Sequence, residues 1–189
     1  MEGLKSNPNE NVRALLEKYD IPNKIPAPVE RIAKVLGAQV LYSPLDKELS
    51  GMVFIKNGTP IIGVNSLHHP NRQRFTIAHE IAHIWLHSDL ISSSVHVDKK
   101  FSELVLRRDS ISAQGTNNVE IEANQFAAAL LIPENSLKEM LSETTLDIED
   151  ESALEELAKK FKVSKSTLQY RIRNLLVSSV QNWKVSLEI

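Results

Sequence analysis

The 189-residue chain contains no cysteine. Disulfides and thiolate metal sites are thereby excluded, and any zinc must be held by His, Asp or Glu. Long apolar runs are also missing: no stretch approaches the roughly 18 residues that a membrane helix needs. The first residues lack a basic segment followed by an apolar one, the pattern of a secretory signal. The chain is therefore expected to be soluble and cytoplasmic, with no membrane partner. Excess charge is absent too. A formal net charge of −2 argues against bulk attraction to nucleic acid or membrane, while leaving local patches open. What is present is an ordinary globular balance, 42% apolar and 24% charged, at a length suited to one domain or a core with a small appendage.

Helical periodicity opens the chain. Val12, Leu15, Leu16 and Tyr19 share a face over residues 9–19, and prolines at 22, 26 and 28 end that helix. Pro28 suits the first position of a second helix reaching Leu36, with Gly37 as its stop. Residues 38–43 read as a short strand. Residues 49–56 and 59–65 flank Asn57-Gly58, a pair suited to a tight primed turn, and predict a hairpin. Pro60 in its second arm suggests an edge or a bulge, and such an edge could hold an extended substrate as an added strand. Residues 88–118 are polar, Ser-rich and mixed in charge, with a weakly helical piece at 101–107, and read as a long surface excursion. An Ala-rich helix is expected over 119–131, ended by Pro133.

Between the hairpin and the excursion, a helix expected over about 71–87 carries His79-Glu80-Ile81-Ala82-His83. Histidines four apart stack on one helical face, about 6 Å apart along the axis. They can converge on one Zn²⁺, with Glu80 placed to take a proton from water. A catalytic zinc takes three protein ligands and leaves one position open. His87 continues the same face, but the outer pair of three histidines on a straight helix lies about 12 Å apart, too far for bonds of about 2 Å. His87 is therefore expected to orient a ligand or pack in the core. A metzincin pattern would need Gly at Leu86 and His at Asp89, and fails. A carboxylate from the 119–131 helix remains. Glu122 shares its face with Phe126 and Ala129 and is expected to point inward as the third ligand. Glu120 shares a more mixed face with Asn124 and Ala127 and reads better as a solvated flank residue.

Arg74-Phe75-Thr76-Ile77-Ala78-His79-Glu80-Ile81-Ala82-His83, then Leu86-His87, then the run from Glu122-Ala123-Asn124 through Ile132-Pro133, resembles the ImmA/IrrE family of zinc metallopeptidases. The resemblance covers most of residues 28–175. It implies an α+β, zincin-like core with a small antiparallel sheet and an H-E-x-x-H helix. It implies zinc held by His79, His83 and Glu122, with Glu80 as catalytic acid/base; Mn²⁺ is an alternative, since such sites select by availability as well as affinity. His68, His69, His96 and Tyr42 are candidates to stabilise the oxyanion, and Asn124 or His87 to orient a ligand.

The C-terminal third is electrically polarised. Seven acids and no base lie between Leu141 and Glu156; six Lys or Arg and no acid lie between Leu157 and Asn174. Ser152 to Glu155 fits a capping box, and two helices joined at Val163-Ser164 resemble a helix-turn-helix. The organisation expected is a peptidase domain over 1–140 with a helical segment over 141–189 packed on it. The basic pair carries charge suited to DNA phosphates, but a scaffolding or substrate-docking role is favoured. The expected activity is zinc-dependent cleavage of a specific intracellular protein. By resemblance that protein is a helix-turn-helix repressor controlling a mobile-element, prophage or stress-response operon. The competing reading is a DNA-binding or toxin–antitoxin-type regulator that keeps a zinc site without significant proteolysis.

Overall fold

The computed structural model describes residues 7–46, 49–92, 112–143 and 151–185. Helix α1 (Pro8–Lys18) begins with proline at its first turn, and the Asn7 side chain accepts the Asn9 N–H at 3.0 Å. It buries Val12, Leu15 and Leu16. Helix α2 (Val29–Val35) stops at Gly37, whose φ of +79° lies in the left-handed region glycine enters without steric cost.

Strands β1 (Gln39–Ser43), β2 (Gly51–Lys56) and β3 (Thr59–Asn65) form one sheet in the order β1-β3-β2. Asn57 and Gly58 both have positive φ, as a primed hairpin turn requires. β2 and β3 pair antiparallel, but β1 and β3 pair parallel, so the sheet is mixed where an antiparallel one was expected. β3 is central, not an edge. Pro60 is tolerated because parallel pairing begins one residue later, at Gln39 with Ile61, so no neighbour calls on an N–H at position 60.

Buried Asn65 ends β3 and ties the loops beside it. Its side chain accepts the Leu67 N–H at 3.0 Å and the Leu45 N–H at 3.3 Å, and donates to the Leu49 carbonyl at 2.8 Å. With both loops fixed, the chain enters α3 (Pro70–Leu86) through His69, whose Nδ1 accepts the Asn71 N–H at 3.2 Å. Short α4 (Ser88–Ser92) follows, then α5 (Ser112–Leu131), α6 (Glu134–Glu143), α7 (Glu151–Phe161) and α8 (Lys165–Val185). The segment 101–107, expected to be weakly helical, lies outside the described residues.

Helix α3 packs along α5 on one side and against β2 and β3 on another. A Cβ on Gly51 would stand 2.3 Å from Thr76 Cγ2 and 2.6 Å from the Gly63 carbonyl oxygen. The bare backbone of β2 lies there against the Thr76 side chain, which seats α3 on the sheet one turn before His79. Helices α7 and α8 join the same core through Leu154, Phe161 and Leu168. Their turn is bonded to the start of α3: Asn71 Nδ2 donates to the Val163 carbonyl at 2.9 Å. Arg171 is fully buried, and its Nε donates to the Ile132 carbonyl at 3.0 Å, just beyond the end of α5. The helix containing the expected capping box starts at Glu151, one residue ahead of Ser152.

Candidate metal centre

The α3 sequence is apolar around its histidines because the helix is enclosed. Ile77, Ala78, Ile81 and Ala82 are buried against neighbours, and Glu80 is 5% exposed. His79 and His83 lie on the face turned to α5, their Nε2 atoms 3.0 Å apart. One turn of α5 answers them. The Glu120 carboxylate sets one oxygen 3.1 Å from His79 Nε2 and the other 3.2 Å from His83 Nε2. Donor atoms of His79, His83 and Glu120 all lie within 4.8 Å of one another, the spacing a single ion needs. One turn further along α5, Asn124 Oδ1 lies 3.0 Å from His79 Nδ1. An Nδ1–H donated to that oxygen leaves His79 Nε2 free to bind metal.

The electrostatics follow from packing acid and base together out of water. Burial would raise the Glu120 pKa, but hydrogen bonds from His79 and His83 hold the carboxyl well below its ordinary range. Burial opposes the charged form of His79, yet Glu120 and the nearby charge of Glu80 push its pKa up. His83 moves down, chiefly through burial and also through the charge on His79. The shifts favour an ionised Glu120, the state in which a carboxylate binds a metal, while the raised His79 pKa means that an ion bound there displaces a proton.

Glu122 is not in this group. Its Oε2 lies 3.7 Å from His87 Nε2, and its side chain is 43% exposed. Two residues along a helix turn the side chain by about 200°, so Glu120 and Glu122 point to nearly opposite sides. The apolar stripe of Phe126 and Ala129 does not distinguish among the several buried faces of α5, on which α1, α3 and α8 all pack. Apolar periodicity identifies a face turned to protein, but not which neighbour it meets. The informative signal was polar, Glu120 and Asn124 at i and i+4 on a helix otherwise rich in alanine.

His87 stands outside the three-residue cluster, as the helical rise required. Among the oxyanion candidates, His69 caps α3 and the Tyr42 hydroxyl donates to Glu30. Burial, then that hydrogen bond, pushes Tyr42 up to about 12. His96 lies outside the described residues.

A sequence model described as the IrrE N-terminal-like domain matches residues 33–173, including both histidines, Glu80, Glu120, all of α7 and the first half of α8. The chain belongs to that peptidase family. Within it, the radiation response metalloprotease IrrE of Deinococcus radiodurans is 37% identical over 114 residues, spanning 59% of this chain and 30% of that protein. Among solved structures, a Mycobacterium tuberculosis transcriptional regulator superposes with a TM-score of 0.59 at 18% identity, over 88% of this chain and 46% of that one. At that identity the likeness is one of fold. The chain spans less than half the length of both.

Proposed function

We propose that the protein is a zinc-dependent endopeptidase of the IrrE type, with His79, His83 and Glu120 as metal ligands and Glu80 as the catalytic acid/base. The observation that carries this reading is the convergence of two imidazoles and a carboxylate beside a buried glutamate, inside a fold that belongs to a peptidase family. Zinc suits the donor set, which is two nitrogens and one carboxylate without sulfur; Mn²⁺ fits less well by donor type.

When bound, such an ion supplies Lewis acidity, lowering the pKa of water toward about 7 and polarising the scissile carbonyl. The chain's own groups do the rest. Glu80, adjacent to His79 and shielded from solvent, accepts the proton of the attacking water and returns it to the leaving amine. Asn124 holds the His79 ring in one tautomer. Strand β2 has one strand neighbour among the described residues, and Gly51 anchors it to α3 one turn from the histidines. An extended substrate pairs with that free edge, not with central β3.

The substrate proposed is a helix-turn-helix repressor of a mobile-element, prophage or stress-response operon. The relative named for a radiation response supports a regulatory setting. The competing reading makes α7–α8 a DNA-reading unit. Two observations weigh against it: Arg171 is spent inside the protein, and Lys165 pairs with Glu151 at 3.2 Å and Glu155 at 3.8 Å. Both favour a scaffold that docks on the core.

The test is incubation of the zinc-loaded protein with repressors encoded beside it, alongside Glu80→Gln. Site-specific cleavage that falls by roughly 10²–10⁴-fold in the variant, with metal retained, is expected. Retained metal, no cleavage of any partner and salt-sensitive DNA binding would establish the regulator instead.

A further inference from the structure

One turn beyond the triad, a second imidazole and a second carboxylate face each other. His87 is 9% exposed by its side chain, and its Nε2 is buried with no hydrogen-bond partner among the described residues. The Val119 backbone hydrogen-bonds the ring, and with Nε2 unpartnered that bond falls to Nδ1. An Nδ1–H given to a carbonyl leaves Nε2 as a lone pair, the state in which histidine binds metals. What that lone pair faces is Glu122 Oε2, 3.7 Å away. Two acceptors so placed repel unless something positive stands between them.

The distance selects what that is. At 3.7 Å the pair is too far apart for a direct hydrogen bond. A bridging water about 2.8 Å from each atom would need an angle of roughly 80° at its oxygen, too acute for good bonds to both. A divalent ion about 2.1 Å from each atom subtends about 125°, an ordinary coordination angle. Glu122 is 43% exposed, so the remaining positions of such an ion can be filled by water.

We propose that His87 and Glu122 form a second cation site beside the His79–His83–Glu120 centre, for first-row divalent metals that accept mixed imidazole and carboxylate donors. With two protein donors against three, it binds more weakly than its neighbour. Its place on the outer turn makes it the more accessible of the two.

The probe is Co²⁺, titrated into the full metal-free chain and followed by visible absorption and equilibrium dialysis. Two equivalents are expected, the second at least about tenfold weaker. His87→Ala and Glu122→Gln each remove the weaker equivalent and leave the tighter; Glu120→Gln does the reverse. That last variant separates this site from the peptidase reading, because the weak equivalent persists whether or not the inner centre is catalytic. Should His87→Ala fail to fold, as judged by circular dichroism, Glu122→Gln carries the test alone. Saturation at one equivalent up to millimolar Co²⁺, or a weak equivalent that survives both outer variants, overturns the proposal.

Discussion

His79 and Asn124, 45 positions apart in sequence, meet through a 3.0 Å contact between imidazole Nδ1 and amide Oδ1. The contact lies one turn along α5 from Glu120, so a single helical face supplies both a carboxylate for the metal position and the group that orients a histidine toward it. Replacement of Asn124 by Ala is expected to weaken metal binding about 10–100-fold while the fold persists. Asn124→Asp keeps an acceptor at the same place and should recover most of the loss. Competition with a chromophoric chelator reads both, and equal affinity in the Ala variant and the parent would show that the contact does not orient the ring.

Glu120 and Glu122 make a discriminating pair. Glu120→Gln should lower the affinity of the tight metal equivalent by more than about 100-fold, beyond what loss of an orienting partner causes. Glu122→Gln should leave that equivalent in place. Dialysis against a chelator followed by metal analysis decides, and the opposite ranking would place the third ligand on the other side of α5.

Gly51 permits the close approach of β2 to the Thr76 side chain of α3. Gly51→Ala places a methyl group against Thr76 Cγ2 and the Gly63 carbonyl, and overpacking of this kind costs about 1–3 kcal/mol. Adding Thr76→Ser should recover only part, because the carbonyl at 2.6 Å remains. Urea denaturation of the two variants measures both effects. Full recovery by Thr76→Ser would show that the carbonyl yields.

Arg171 holds α8 to two distant segments, donating to the Ile132 carbonyl and to Asn9 Oδ1, while Asn9 Nδ2 donates to Glu134 at 2.7 Å. Burial lowers the guanidinium pKa to about 10, with the charge of Glu134 acting against that shift. The group therefore stays charged at neutral pH and depends on its partners. Arg171→Met fills the space but strands two acceptors, at a cost of about 1–3 kcal/mol and a fall in Tm of several degrees. Arg171→Lys should fare little better, since an ammonium cannot reproduce the fork that spans both acceptors. An unchanged Tm for Arg171→Met would mean that water satisfies both acceptors.

Local sequence determined much of this protein. His79 and His83 share a face because four residues nearly complete a helical turn, wherever the helix sits. Asn57-Gly58 specified the hairpin because its φ values are cheap only for such residues, and Gly37 and Pro133 marked helix ends for similarly local reasons. The H-E-x-x-H motif pointed to the chemistry proposed above, and the helical rise set His87 apart from the cluster of His79, His83 and Glu120. What the chain could not settle locally was rotation and pairing between elements. Whether Glu120 or Glu122 meets the histidines depends on how α5 is turned about its own axis, and that is set by α1, α3 and α8 packing around it together. Whether Pro60 lies on an edge depends on β1, outside the hairpin, arriving parallel beside β3. In both cases one residue pattern fits two arrangements, and burial summed over all the packed elements, which no single segment encodes, selects between them.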